Sequence, residues 1–459
     1  MSAVVHQRTI YTAQWVLPVS SPPIVDGAVI VEGAHIAYVG AAAGAPRVEG
    51  DRTVDLGAAI LLPGLVNAHT HLELTAMRGF LEGLAFREWL VTLNAARRDC
   101  FVAESLHDSA CAGIEEGLRN GITTFADTTE SGAPLAAMRE LGVRGIAYLE
   151  VFGPDPARAE ASMQAFIPRV HALRMGDTEL VQTGVSPHAP YTVSAPLFRR
   201  VAEFSRADQL PVAVHVAESA AESRFVSEGE GPFADGQRAR GIAVAAQARS
   251  PIALLDATGL LAERPLLIHA IQVDGDDVAR VADCGARVVH CPISNLKLAQ
   301  GIAPLEWYLD AGIAVGLGTD SVASNDRMDL LGEARQAALL QALRRGVPDA
   351  LSAQAVVALA TLGGARALGL ETQIGTLEVG KAADLAAFPI EHPDLRPVHD
   401  PAVTLVHVLA GAVRASLTVV AGRERVRDGH VVGADLARHA RMDALGERLR
   451  LWRKVHFAS

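Results

Sequence analysis

Residues 61–76 read LLPGLVNAHTHLELTA. An apolar run with Pro and Gly inside it ends on two histidines one residue apart, and a glutamate follows two residues later. Side chains alternate along a strand, so a strand here would put His69 and His71 on one face. Two imidazoles at the end of an apolar strand are either hydrogen-bonded polar residues or half of a metal site. The rest of the chain has to decide between these readings.

The same texture recurs seven more times. After AILLPGLVNAHTH come TTFADT (123–128), VRGIAYLEVFG (143–153), VQTGVSPHAP (181–190) and PVAVHVAES (211–219). PLLIHAIQV (265–273), RVVHCPIS (287–294) and AVGLGTDS (314–321) complete the set. Amphipathic stretches such as VAESLHDSACAGIEEGLRN lie between them. Strand and helix in alternation predict a parallel sheet covered by helices. Eight units predict an α/β fold of the (β/α)8, TIM-like barrel type. A doubly wound open sheet would carry a Gly-rich phosphate turn after its first strand, and none is present. Short β-like pieces with turn signals occupy 24–40 and 51–57, and similar pieces return at 383–390 and 415–432. They predict a small β-sandwich built from both termini, with residues 1–60 as its N-terminal part and 371–435 as its C-terminal part. The barrel would then fill 61–370 and a C-terminal helix 436–459.

At 459 residues the chain exceeds one small core and suits a large domain with a smaller one. The formal net charge of -11 argues against a nucleic-acid surface. Cys100, Cys111, Cys284 and Cys291 make neither a C-x-x-C pair nor a disulfide framework. The N-terminal residues lack a basic segment followed by an apolar one, and no run has the length of a membrane helix. A cytoplasmic protein with a small-molecule substrate, and without nucleic-acid or membrane partners, is the expectation.

Polar residues close the apolar runs. His69 and His71 end the first, His188 the fourth, His215 with Glu218 the fifth, His269 the sixth, His290 the seventh and Asp320 the eighth. In such a barrel the C-terminal strand ends converge on the active-site mouth. His69, His71, His215 and Asp320 would supply three nitrogens and one oxygen there. That set suits one divalent ion, Zn2+ first and Fe2+ second.

With these residues placed, the sequence resembles the amidohydrolase superfamily, in particular its deaminase and chlorohydrolase branch. PGLVNAHTH, SPHAPY, HVAES, LIHAIQV, HCPISNLKLAQGIAPL and GLGTDSVASN resemble its segments at strands 1, 4, 5, 6, 7 and 8. GTLEVGKAADLAAF resembles the return strand of its β-sandwich. The resemblance implies His69, His71, His215 and Asp320 as metal ligands, Glu218 as proton shuttle, and His269 beside the nucleophile. It implies His188 as a substrate contact and a homo-oligomer, dimeric by analogy. REWL at 87–90 matches with Trp89 but lacks the ribose-binding Glu that S-adenosylhomocysteine deaminases place after it. Where those enzymes carry a substrate Arg after strand 3, this chain reads AYLEVFG; Glu150 there is read as a wall residue. Glu73, in HTHLELT, resembles instead the aminodeoxyfutalosine deaminases, and the resemblance implies Glu73, Trp89 and His188 as substrate-binding residues.

The implied chemistry is hydrolytic deamination. An ion so held makes hydroxide available from water near neutral pH. Glu218 takes the water's proton and passes it to a ring nitrogen of the substrate, while His269 and Asp320 orient the nucleophile and His269 stabilises the oxygen as it gains charge. The expected function is a metal-dependent aminohydrolase acting on an aminopurine nucleoside-like heterocycle, aminodeoxyfutalosine included. A triazine-type chlorohydrolase or cyclic amidohydrolase is the alternative, and a non-catalytic scaffold of the same fold is a third reading. Residues 220–264 would form a lid or substrate wall, and Phe80, Phe86 and Trp89 either stack on the substrate or fill the core.

Overall fold

A computed structural model describes residues 8–456. The first seven residues of the expected N-terminal β part, and with them the start of the stretch read as carrying no leader, lie outside the described residues. So do the last three of the expected C-terminal helix. Each of the eight apolar runs contains a barrel strand. These are β1 (Leu65–Thr70), β2 (Ile122–Thr129), β3 (Arg144–Val151), β4 (Val181–Pro187), β5 (Ala213–Val216), β6 (Leu266–His269), β7 (Arg287–His290) and β8 (Val315–Leu317). They form two four-stranded sheets, β1-β2-β3-β4 and β5-β6-β7-β8. The pairs β3–β4, β5–β6, β6–β7 and β7–β8 are parallel. Parallel bridges Val185↔Val212 and Thr70↔Asp320 join the sheet edges and close the barrel. Most of these strands are buried along their whole length, which is why they read as continuous apolar runs rather than alternating ones.

The opening run is not one strand. Ala59–Pro63 pairs antiparallel with Leu385–Pro389 and parallel with Arg8–Val16, and the barrel strand starts only at Leu65. Gly64 sits at the break. A Cβ there would lie 2.2 Å from Thr123 Oγ1, so only glycine allows this close approach. Strands from both chain ends make one nine-stranded mixed sheet. Its longest members include Arg8–Val16, which lies outside the pieces read as β from sequence. Alternate residues of its two halves, Tyr11, Val29, Leu61, Leu385 and Val419 among them, meet in one shared core.

The chain divides into two compact units. One holds the residues up to Ala68 with Glu115–Phe125 and Met328–Ala434; the other holds His69–Ile114, Ala126–Arg327 and the chain from Asp435. This division differs from the expected boundaries at residues 60 and 370. Helices Leu330–Arg345 and Ala353–Ala358 pack on the segment Pro401–Leu409, which ties them to the first unit. In the second unit, helix Phe86–Cys100 buries Trp89, Leu93, Ala96 and Cys100, spaced three or four residues apart. This stripe packs on Leu445 and Leu449 of the terminal helix Leu436–His456. Among the described residues no helix is long and apolar enough to cross a membrane.

Candidate active site

The strand ends in the second unit gather a polar group of high density. His69 and His71 lie on one side of the end of β1, as their spacing requires. The turn after them is pinned by Asp127, at the end of β2, which accepts hydrogen bonds from Leu72 N (2.6 Å) and Thr70 Oγ1 (2.8 Å). At β5, β6 and β8 the backbone itself aims the side chains. Ala217, His269 and Asp320 have φ of 52°, 72° and 56°, in the left-handed region that non-glycine residues seldom occupy. Such strain persists where the surrounding structure enforces it, and it concentrates at functional sites.

Two overlapping groups of ligand atoms converge, His69 with His71 and Asp320, and His69 with His215 and His269, each within 4.8 Å of one another. His71 Nε2 lies 3.3 Å from His215 Nε2. Asp320 Oδ1 lies 3.2 Å from His69 Nε2 and 3.6 Å from His71 Nε2. His215 Nδ1 donates to the His188 carbonyl (3.2 Å), so its Nε2 is a bare lone pair. Burial lowers the pKa of His71 and His215 and brings His69 down to about 4, so the rings are neutral. His71 Nε2 and His215 Nε2 at this distance share either a proton or a cation. Ligands about 2.0–2.2 Å from a tetrahedral ion are separated by about 3.3–3.6 Å. The residues therefore fit a divalent metal. Asp320 is held by its second oxygen, which accepts from Ser294 and Ser324. Burial would raise its pKa, but the His69 hydrogen bond and the surrounding imidazoles hold it well below the usual range.

Glu218 and His269 sit beside this group, Oε1 and Nε2 lying 3.7 Å apart. Burial raises the Glu218 pKa well above the ordinary value, and the charges of Asp320 and Glu222 add to it. Glu222 accepts from the backbone N–H of Ala217 (2.8 Å) and of Glu218 (3.0 Å), fixing the turn that carries Glu218. His269 Nδ1 donates to Asn295 Oδ1 (3.0 Å). With Nδ1 so engaged, its Nε2 faces Glu218 and the metal-ligating group. His290 closes β7 but is not part of the cavity lining. It is buried, with neither ring nitrogen hydrogen-bonded among the described residues.

The group opens into a cavity of about 830 Å3, within the range of small-molecule sites. His188 lines it, its Nδ1 2.7 Å from Thr192 Oγ1. Glu73 is not a solvated loop carboxylate. It is buried, accepting from Arg97 Nη2 (2.8 Å), Thr129 Oγ1 (2.8 Å) and Ser131. Arg97 also pairs with Glu130. Glu150 lines the same wall and has no hydrogen bond among the described residues. Opposite charges and rings alternate here: Tyr191 stacks on Phe233 at 4.1 Å, and Phe86 meets both edge-on. Trp89 belongs to the lining and also to the core against the terminal helix, whereas Phe80 belongs to that core and not to the lining. The stretch 220–264 is not an open loop. It folds into helices Ala220–Glu228, Pro232–Arg238 and Pro251–Ala257, and the second supplies Phe233 and Gln237 to the wall.

Several of these residues escaped the sequence reading. Asp127 could have been found by the strand-end rule, since it stands one residue before the end of TTFADT. Arg97, Tyr191, Phe233 and Asn295 carry no such signal, being single residues on helices and turns.

A barrel with a polar strand-end group and a fitted metal pocket defines a metal-dependent hydrolase class. The sequence pattern of the amidohydrolase family matches residues 60–425, and the chain belongs to that family; with its deaminase-named relatives this makes it a hydrolytic C–N enzyme. The chain is 33% identical over 422 residues to a 5-methylthioadenosine/S-adenosylhomocysteine deaminase of Moorella thermoacetica, covering 92% of this chain and 94% of that one. An adenosine deaminase from Xanthomonas campestris with bound zinc superposes with TM-score 0.86 at 30% identity, over 96% of this chain and 98% of the other. The atrazine chlorohydrolase TrzN from Arthrobacter aurescens TC1, complexed with zinc, gives TM-score 0.81 at 28% identity, over 95% and 100%.

Proposed function

We propose that the protein is a zinc-dependent aminohydrolase that replaces the exocyclic amine of an aminopurine nucleoside-like substrate with water. The observation that carries this reading is the convergence of His69, His71 and His215 Nε2 with Asp320 Oδ1 beside Glu218. Those four residues would hold the ion; when bound it lowers the pKa of water and polarises it for attack. Glu218, whose pKa burial raises well above the ordinary carboxylate value, takes a proton from the attacking water and passes it to a ring nitrogen. Protonation there makes the neighbouring carbon electrophilic. His269, with Nδ1 committed to Asn295, accepts a hydrogen bond from the water through Nε2 and sets its direction of approach. The water oxygen bonds to that carbon, its remaining proton moves to the exocyclic nitrogen as the carbonyl forms, and the C–N bond breaks to release ammonia. His188 and Trp89 contact the substrate from the wall. Glu73, its oxygens already taken by Arg97, Thr129 and Ser131, shapes that wall rather than touching the substrate.

The names of the relatives support a nucleoside panel of adenosine, 5-methylthioadenosine and S-adenosylhomocysteine, and the HTHLE start adds aminodeoxyfutalosine. The protein loaded with one zinc per chain is expected to release ammonia from at least one of them. Chloride release from a chlorotriazine, with no ammonia from the panel, would move the reading to the chlorohydrolase alternative.

A further inference from the structure

A second group of metal-ligating side chains lies away from the catalytic cavity, and none of its members lines that cavity. His107 and Cys111 are one turn apart on helix Ala103–Arg119, and Glu140 is on the last turn of helix Ala133–Leu141. Residues four apart on a helix face the same way. Cys111 Sγ lies beside the His107 ring, 3.8 Å from Nε2 and 3.9 Å from Nδ1, and Glu140 Oε2 is 3.2 Å from Nε2, so a turn of the half-exposed ring would aim Nε2 between them. One ligand atom from each residue lies within 4.8 Å of the others. We propose that His107, Cys111 and Glu140 form a second, non-catalytic site for a zinc-like divalent ion.

The chemistry of the donors suits it. A thiolate, an imidazole and a carboxylate are the three protein ligands that zinc accepts. With ligand bonds of about 2.0–2.3 Å, tetrahedral ligand pairs stand about 3.3–3.6 Å apart. The separations on the imidazole nitrogen, 3.8 Å to sulfur and 3.2 Å to oxygen, lie on either side of that range. The carboxylate is already oriented. Arg438 Nη2 donates to Glu140 Oε1 at 2.9 Å, which leaves Oε2 turned toward His107. Arg438 is itself buried and paired with Asp108, so this outer support is rigid. Thiolate and carboxylate together neutralise a divalent ion, so the guanidinium nearby faces no net positive charge. Cys111 is fully buried, while the side chains of His107 and Glu140 are 30% and 49% exposed. The ion therefore enters from the solvent side, where water completes its coordination. The Cys111 thiol proton is released to solvent on binding, so affinity rises with pH. The consequence is a clamp between two successive barrel helices and a capacity of two ions per chain.

Cobalt separates this site from the catalytic one, because the catalytic ligands contain no sulfur. Co2+ is titrated into the metal-free full chain while near-ultraviolet absorption is recorded. A sulfur-to-cobalt charge-transfer band is expected, with total uptake of two ions per chain. The Cys111→Ser protein should take up one ion and lose the band, with ammonia release per catalytic metal unchanged. The half-exposed Glu140→Ala change, which leaves the core intact, should weaken the band's half-saturation by about tenfold or more. Absence of the band in the wild type at saturating Co2+, or its persistence in Cys111→Ser, overturns the proposal.

Discussion

At the floor of the cavity every candidate ligand leaves the end of a barrel strand; on the wall, Glu150 of β3 apart, the side chains come mainly from helices Phe86–Cys100 and Pro232–Arg238 and from short turns. The floor is tied down by backbone. Asp320 N donates to the His69 carbonyl and His215 N to the His188 carbonyl, so neighbouring strands fix one another's ligands. The wall is tied down by side chains: Arg97 bridges Glu73 and Glu130, and Gln237 Nε2 holds the Tyr191 carbonyl at 3.0 Å. Chemistry that tolerates little displacement thus rests on the stiff part, and selectivity on the part that can change by substitution. Floor mutations should act on metal content and turnover, wall mutations on substrate affinity.

The largest effect is expected at Asp320. Asp320→Ala removes the only carboxylate of the quartet and strips Ser294 and Ser324 of their shared acceptor. The stabilisation an ion lends to a reaction is several kcal/mol, so turnover should fall on the order of 10^4-fold. Metal per chain should fall with it. Full zinc content by elemental analysis in this variant, or in the better-shaped Asp320→Asn, would break the assignment of the floor.

Glu218→Gln comes next and sharpens the comparison within the floor. Glutamine keeps the shape and cannot move a proton, so kcat should drop about 10^2- to 10^4-fold. Zinc content should stay at the wild-type level, since Glu218 is outside the quartet. The Glu222 contacts to Ala217 and Glu218 N–H are unaffected by the change, so its turn should hold. Retained turnover at full metal loading would end the proton-shuttle role.

The same contrast explains what the sequence disclosed. Strand ends are legible because a buried parallel strand is a continuous apolar run, and a polar residue at its end has few structural reasons to be there. His69, His71, His215, His269 and Asp320 were all marked in this way. The rule overreached at His290, which closes a strand without reaching the cavity lining. It also treated 59–71 as one run, because nothing in AILLPGLVNAHTH distinguishes a strand of the terminal sheet from a barrel strand except Gly64, whose need appears only when Thr123 packs against it. The wall was illegible for a different reason. Arg97 reads as one more solvated helix cation until Glu73 and Glu130 are brought to it across 24 and 33 residues. Phe233 lies in a stretch rich in Gly and charge that reads as a loop and forms a helix.

On the wall, Arg97→Ala should act mainly through KM. Glu73 is 5% exposed in its side chain, and losing Arg97 leaves a buried carboxylate short of a partner. Breaking such a pair costs up to about 3–5 kcal/mol when fully buried, and less here because Arg97 is partly exposed. A Tm several degrees lower is expected, with KM raised about tenfold and zinc content unchanged. Arg97→Lys, which keeps the charge but not the forked geometry, should fall between the two. A loss of kcat without a change in KM would transfer Arg97 from wall to floor.

The smallest effect should come from Phe233→Ala. The ring stacks on Tyr191 at 4.1 Å with an interplanar angle of 11°. Such a contact contributes about 0.5–1.5 kcal/mol beyond its buried area. Tyr191 is itself fixed from the backbone by Gln237, so the wall should open locally rather than collapse. KM for a purine nucleoside should rise a few-fold up to about tenfold, with kcat within about twofold of wild type. Phe233→Leu keeps most of the apolar area and removes the stack, so the difference between the two variants isolates the ring contact. If both leave every KM unchanged across the nucleoside panel, helix Pro232–Arg238 encloses the cavity without reading the substrate, and selectivity must reside nearer the strand ends.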